Sequence, residues 1–153
     1  MSIAPIVRTI EVKVAPARAF DLFTTRMAQW WPTGKTVAKN PHVAIIIEPR
    51  VGGRWLERDA EGNESPWGKV LAWEPPSRLL LAWQLTSNWN YDPQLVTEVE
   101  LTFVPADGGS TRVTLEHRNL ERFGTDAARH AEKLGGGWPV RLADFATYAD
   151  RQS

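Results

Sequence analysis

Tryptophan and histidine are the residues of this sequence best suited to binding or acid–base chemistry. The chain has 8 tryptophans among 153 residues and 3 histidines. His117 closes the alternating stretch 111–118, and the alternation places it on the same face as Leu115. An inward-facing histidine could orient a ligand carbonyl or act as an acid or base. The alternative is a structural histidine that is hydrogen-bonded to a backbone group or to a tryptophan N–H.

Several other kinds of site are not predicted. The chain has no cysteine, and its histidines lie far apart at positions 42, 117 and 130, without the H-x-x-x-H spacing of zinc sites. It lacks the G-x-S-x-G motif that carries the nucleophilic serine of α/β-hydrolases. Its glycine runs lack the G-x-x-x-x-G-K pattern of phosphate-binding loops. We therefore expect no metal, no cofactor and no recognisable catalytic set beyond the candidate His117.

The aromatic residues form either a core or the wall of a ligand site, because such sites combine aromatic rings with a few polar groups. We expect a cavity wall that includes Trp55, Trp83, Trp138, Leu142 and Phe145. His117 and Tyr91 are the candidates for contact with a polar part of the ligand. Arg54 is a further candidate, and it lies beside Glu48 and Glu57; these charges either pair inside the cavity or stay on the surface. Trp30 and Trp31 are expected to anchor a short helix to the sheet edge.

A helix near the end of the chain is predicted to position this wall. Apolar residues at 134, 138, 142, 145 and 149 recur at a spacing of four and three, which places them on one helix face. Gly135, Gly136 and Gly137 interrupt this pattern, at a cost of about 1 kcal/mol each relative to alanine. The glycines either break the helix, admit close packing against it, or soften it so that a ligand can enter.

Most of the preceding chain alternates with a period of two, which predicts strands. The predicted strands are 6–14, 43–48, 54–59, 67–74, 78–86, 97–104 and 111–118. One or two short helices are expected between Pro16 and Trp31, with a break near Thr24 and Thr25. Hairpin connections make the sheet antiparallel. We predict one α+β domain over 1–153, in which a curved sheet of about seven strands wraps around the C-terminal helix.

The composition argues against some classes of partner and against insertion into a membrane. Lys plus Arg and Asp plus Glu both number 18, so the formal net charge is zero, which argues against nucleic acid as a main partner. No apolar run approaches the roughly 20 residues that a membrane span needs, and the start does not resemble a signal peptide. With no cysteine in the chain, we expect a cytoplasmic protein.

Local motifs in this order resemble the START-like, birch-pollen-allergen-like superfamily (SRPBCC), whose fold is called helix-grip. The nearest resemblance is to small single-domain proteins similar to the C-terminal domain of the heat-shock-protein-90 ATPase activator. The motifs that carry it are APARAFDLF (15–23), WWP (30–32), GGRW (52–55), GKVLAWEPPSRL (68–79), TRVTLEH (111–117) and GWPVRLADF (137–145).

The resemblance is compatible with three functions, of which the inward-facing rings favour the first, and the other two remain alternatives. The first is the binding of a small hydrophobic or aromatic ligand between the sheet and the C-terminal helix. The second is a polyketide cyclase or dehydratase that uses the same cavity, with His117 as acid or base. The third is a chaperone-regulating interaction module, although the chain has no room for the second domain that the eukaryotic activators carry. A homodimer also remains open.

Overall fold

The computed structural model describes residues 2–153, in which seven strands form one antiparallel sheet in the order β1-β7-β6-β5-β4-β3-β2. The strands are β1 (Ile6–Val12), β2 (His42–Ile47), β3 (Arg54–Asp59), β4 (Glu64–Glu74), β5 (Arg78–Trp83), β6 (Thr97–Pro105) and β7 (Thr111–Arg118). The sheet curls into a half-barrel beside a long C-terminal helix. The predicted α+β helix-grip architecture is therefore confirmed.

Alternation determines which side chains of the sheet face the core. In the pairing of β6 with β7, Val99 lies opposite His117 and Leu101 lies opposite Leu115, and all four side chains are buried. The outward residues carry charge: the guanidinium of Arg118 pairs with the carboxylate of Glu98 at 2.9 Å. The strand predicted for 78–86 ends earlier, at Trp83. The N–H of Gln84 still donates to Trp67 on β4, but the carbonyl of Gln84 and the N–H of Thr86 bond to Asp92 and Asn90 of the following loop instead of to β6.

Two short helices follow β1, as predicted. They are α1 (Pro16–Thr25) and α2 (Met27–Trp30), separated at Arg26. The hydroxyl of Thr24 donates to the carbonyl of Phe20 at 2.8 Å, and that of Thr25 donates to the carbonyl of Asp21 at 2.8 Å. Such bonds back to the preceding turn compete with the helical ladder and favour a helix end.

The C-terminal helix α3 (Ala127–Asp150) runs for 24 residues and continues through the glycines and Pro139. Its buried side chains include Leu134, Trp138, Leu142, Phe145 and Ala149, which is the face that the sequence predicts. Pro139 has no N–H to donate to the carbonyl of Gly135, four residues earlier. The guanidinium of Arg8 donates to that carbonyl instead, with Nη2 3.0 Å from the oxygen, so the acceptor is satisfied.

Aromatic rings fill much of the space between the sheet and the helices. The ring of Phe145 on α3 lies 5.2 Å from that of Phe23 and 5.2 Å from that of Trp30, measured between centroids. Free space remains near the middle of α3, where the candidate site lies. Within residues 2–153, no helix has the length and apolar character that crossing a membrane requires.

Candidate functional site

A pocket of about 450 Å³ lies between the middle of α3, the end of β5 and two loops. Its volume falls in the range of small-molecule sites, roughly 300–1,000 Å³. Four tryptophans and three cationic side chains dominate its wall. The lining residues are Trp31, Gly34, Lys35, Thr36, Trp83, Trp89, Lys133, Leu134, Gly137, Trp138 and Arg141.

A buried hydrogen-bonded chain links the Trp138 indole on α3 to the backbone of Trp83 on β5. The Nε1–H of Trp138 donates to Nδ1 of His117 at 3.1 Å. Nε2 of His117 lies 2.8 Å from Oγ1 of Thr97, whose hydroxyl donates to the carbonyl of Trp83 at 3.0 Å. Because the Thr97 proton is used at Trp83 and Nδ1 accepts from Trp138, Nε2 carries the imidazole proton and donates to Thr97.

Burial keeps His117 neutral. Burial, with a smaller contribution from the nearby His130, lowers the pKa of His117 from 6.5 to about 3. The ring is fully buried, both of its nitrogens are hydrogen-bonded, and it does not line the pocket. Its place in the structure is that of a support for the Trp138 indole.

The loop after α2 brings Trp31 and Lys35 to the pocket. The Nε1–H of Trp31 donates to the carbonyl of Lys35 at 2.8 Å. Oε1 of Glu57 accepts from the backbone N–H of Val37 at 2.7 Å and from Nε1–H of Trp67 at 2.8 Å. The carboxylate of Glu57 is thus buried beneath this loop and holds it in place, and it is not part of a surface ion pair.

The loop between β5 and β6 contributes Trp89 to the pocket rim. Trp89 has φ of 64°, in the left-handed region that a bulky residue rarely adopts. Backbone bonds hold the turn, since the N–H of Trp89 donates to the carbonyl of Thr86 and the N–H of Thr86 to the carbonyl of Asn90, both at 2.8 Å. The Trp89 ring lies 6.1 Å from that of Trp83 and 5.4 Å from that of His130. The strained backbone therefore places an indole over the pocket.

The residues named from the sequence lie in three different environments. Trp83 and Trp138 line the pocket. Trp55, Leu142 and Phe145 are packed in the interior, each at most 1% exposed, and His117 is buried behind Trp138. Tyr91 is 39% exposed in the loop after β5, where it forms an isolated bridge with Leu85.

Nine wall residues were not predicted as ligand contacts from the sequence: Trp31, Gly34, Lys35, Thr36, Trp89, Lys133, Leu134, Gly137 and Arg141. Three of them, Lys133, Gly137 and Arg141, recur every four residues on α3, so a periodic stripe beside the apolar face was a usable signal. Trp31 and Lys35 belong to a loop, and no periodic pattern indicates where a loop lies.

The remaining charged candidate lies on the surface. The guanidinium of Arg54 pairs with the carboxylates of Glu48 at 2.9 Å and Glu64 at 3.2 Å, with 59% of its side chain exposed. Within residues 2–153, no group of three or more histidine, cysteine or acidic side chains is arranged to hold a metal ion.

Comparison with known proteins identifies relatives over almost the full length. The family model for "Activator of Hsp90 ATPase homolog 1-like protein" matches residues 13–150. The anthrahydroquino-gamma-pyrone synthase Txn09 is 36% identical, with a TM-score of 0.68 over 95% of this chain and 97% of that one. The self-sacrificing resistance protein CalC from Micromonospora echinospora is 30% identical, with a TM-score of 0.74 over 97% of this chain and 96% of that one.

A third structure, the Aha1 dimer from Colwellia psychrerythraea, is 17% identical with a TM-score of 0.66 over 97% of each chain, which shows a shared fold. A search of curated proteins by sequence found no match. The matched family and the full-length relatives confirm the START-like resemblance and support, in general terms, a ligand-binding cavity or a cyclase-type function. The chain therefore belongs to the family of activator of Hsp90 ATPase homolog 1-like proteins.

Proposed function

We propose that this protein binds a planar aromatic small molecule in the pocket beside α3. The observation that carries the proposal is the convergence of four indoles, from four separate parts of the chain, on one partly open space. Neighbouring rings of the set lie at contact distance: the centroids of Trp83 and Trp138 are 5.4 Å apart, and those of Trp31 and Trp138 are 6.3 Å apart. A flat ring placed against them in the pocket would gain aromatic contacts, worth about 0.5–1.5 kcal/mol per pair beyond area burial.

The relative Txn09 supports this ligand class, because its name describes a synthase of a fused aromatic pyrone. It also favours a second candidate function, which is catalysis of ring closure or dehydration on such a molecule in the same pocket. Since His117 does not line the pocket, an acid or base for that reaction would have to come from the wall itself or from the substrate. A chaperone partner and a homodimer stay predictions from the resemblance.

Glycine positions on α3 give a sharp test of the pocket. A Cβ added at Gly136 or at Gly137 would meet no described atom within 4 Å apart from the adjoining helix itself, yet only Gly137 is among the residues that line the pocket. We expect Gly137→Leu to fill the pocket and Gly136→Leu to leave it open. Both substitutions place the same side chain on the same helix, so Gly136→Leu controls for general effects of leucine.

The measurement is quenching of tryptophan fluorescence by 9-anthracenemethanol, a flat uncharged probe. The wild type and Gly136→Leu should bind the probe with similar dissociation constants, and Gly137→Leu should bind it at least about tenfold more weakly. Equal affinities in all three proteins would place binding elsewhere and contradict the proposal. For the catalytic alternative, conversion of a linear aromatic polyketide precursor, followed by mass spectrometry, would separate a carrier from an enzyme.

A further inference from the structure

The charge of the pocket wall differs from that of the whole protein. The formal net charge of the chain is zero. Yet the eleven described residues that line the pocket include Lys35, Lys133 and Arg141 and no Asp or Glu. Three like charges around a partly enclosed apolar space create a positive potential there, which attracts an anion.

Arg141 is the member of this set with an unmet capacity for hydrogen bonding. Its side chain is 16% exposed, and its Nη1 is buried without a hydrogen-bond partner among the described residues. Its Nε lies 3.6 Å from a carboxylate oxygen of Asp144, which makes an ion pair but is too long for a hydrogen bond, so the donors of the guanidinium stay available. Its guanidinium carbon lies 6.0 Å from the centroid of the Trp31 ring, at the outer range of a cation–π contact. A guanidinium in this state offers a fork of donors to a ligand oxygen.

On α3, two cationic residues lie on either side of Gly137, where the helix carries no side chain. Lys133, Gly137 and Arg141 lie one turn apart, so the two cations are separated by about 12 Å along the axis. Gly137 has no side chain between them, which leaves room for a ring against the helix backbone. Lys35 reaches the same space from the loop that Glu57 holds. A ligand stacked on the indoles therefore has cations at its edges.

We propose that the pocket selects aromatic molecules that carry an anionic oxygen group, such as a carboxylate or an ionised phenol, with Arg141 as its main partner. This inference rests on the proposed function, since it assumes that aromatic ligands enter this pocket. It adds that affinity depends on the ligand's charge as well as on its ring system.

The test compares two probes with the same ring system, 9-anthracenecarboxylate and 9-anthracenemethanol. The carboxylate should bind the wild type about tenfold or more tightly than the alcohol at low salt, because it gains a charge-assisted hydrogen bond. The difference should shrink as sodium chloride is added, since salt screens partly exposed charges. Arg141→Gln should remove most of the preference for the carboxylate and leave the affinity for the alcohol within about twofold.

A matched control is Lys69→Gln, which removes one positive charge at an exposed position of β4 outside the pocket. This variant should keep the wild-type preference for the carboxylate. If Arg141→Gln fails to fold, judged by circular dichroism, Lys133→Gln provides a second variant, and the salt series on the wild type needs no variant.

The outcomes separate the two proposals. Equal binding of the carboxylate and the alcohol by the wild type would overturn this inference and leave the proposed function standing. Failure of both probes to bind would overturn both. An equal loss of preference in Lys69→Gln and in Arg141→Gln would assign the effect to the overall charge of the protein and would also overturn the inference.

Discussion

Acid should destabilise this protein in part through His117. The folded protein holds the pKa of His117 at about 3, whereas an unfolded chain would have the ordinary value of 6.5. Between these two values the unfolded state binds one proton more than the folded state, so stability falls by up to about 1.4 kcal/mol for each pH unit of acidification. The neutral His117 contributes fully to stability above pH 6.5, its pKa in the unfolded chain. This contribution is lost as the pH falls toward about 3, its pKa in the folded protein.

The expected loss from about pH 7 to about pH 5 is roughly 2 kcal/mol from His117 alone. Other groups act in the same direction: burial lowers the pKa of His130, and hydrogen bonds from Arg54 lower that of Glu48. The contribution of His117 is therefore isolated by comparison with His117→Gln, whose amide can still accept from Trp138 and donate to Thr97 but does not titrate. Urea denaturation followed by tryptophan fluorescence over this pH range measures both proteins.

As the pH is lowered, the free energy of unfolding of the wild type should fall more steeply than that of His117→Gln. The two slopes should differ by up to about 1.4 kcal/mol for each pH unit, which corresponds to the uptake of one proton on unfolding. Parallel pH dependences would refute the reasoning. Nitrogen-15 NMR of the wild-type imidazole provides an independent check that needs no variant. The ring should remain neutral at about pH 5 with its proton on Nε2, and titration near the ordinary histidine pKa would contradict the buried hydrogen-bonded chain.

Two further substitutions test the packing around the pocket. Gly68→Ala would place a Cβ 1.7 Å from the carbonyl oxygen of Ala82, so we expect a loss of about 2–3 kcal/mol or more in chemical denaturation; wild-type stability would contradict this close approach of strands β4 and β5. Glu57→Leu would leave N–H groups of Val37 and Trp67 without their acceptor, and it should cost about 2 kcal/mol or more. Amide exchange at Val37 should then accelerate, and unchanged exchange would show that the carboxylate does not hold the loop.

The fold could be predicted because two simple periodicities persist over long stretches. Alternation in 97–104 and 111–118 places Val99, Leu101 and Leu115 inward, and all three are buried. The helical repeat that contains Leu134 and Trp138 determines the buried face of α3 in the same way. Both patterns arise from backbone geometry, so they are visible without knowledge of any tertiary contact.

The site could be predicted only in part, because the position of a void depends on how distant side chains fill space. Alternation indicates that both Trp55 and Trp83 point inward. It does not indicate that neighbouring indoles cover Trp55 on the inside while Trp83 borders the pocket. The position of Lys35 depends on a hydrogen bond between Glu57 and Val37, twenty residues apart, and no local pattern predicts it.

The most direct test of the account is the response of the eight indole N–H resonances to 9-anthracenemethanol in nitrogen-15 NMR. Binding in the pocket should shift the signals of Trp31, Trp83, Trp89 and Trp138 and leave that of Trp73, which packs against Phe20 instead of lining the pocket, unchanged. If the probe binds and the largest shift belongs to Trp73, or if none of the eight signals moves at saturating probe, the pocket beside α3 is not a binding site for aromatic ligands.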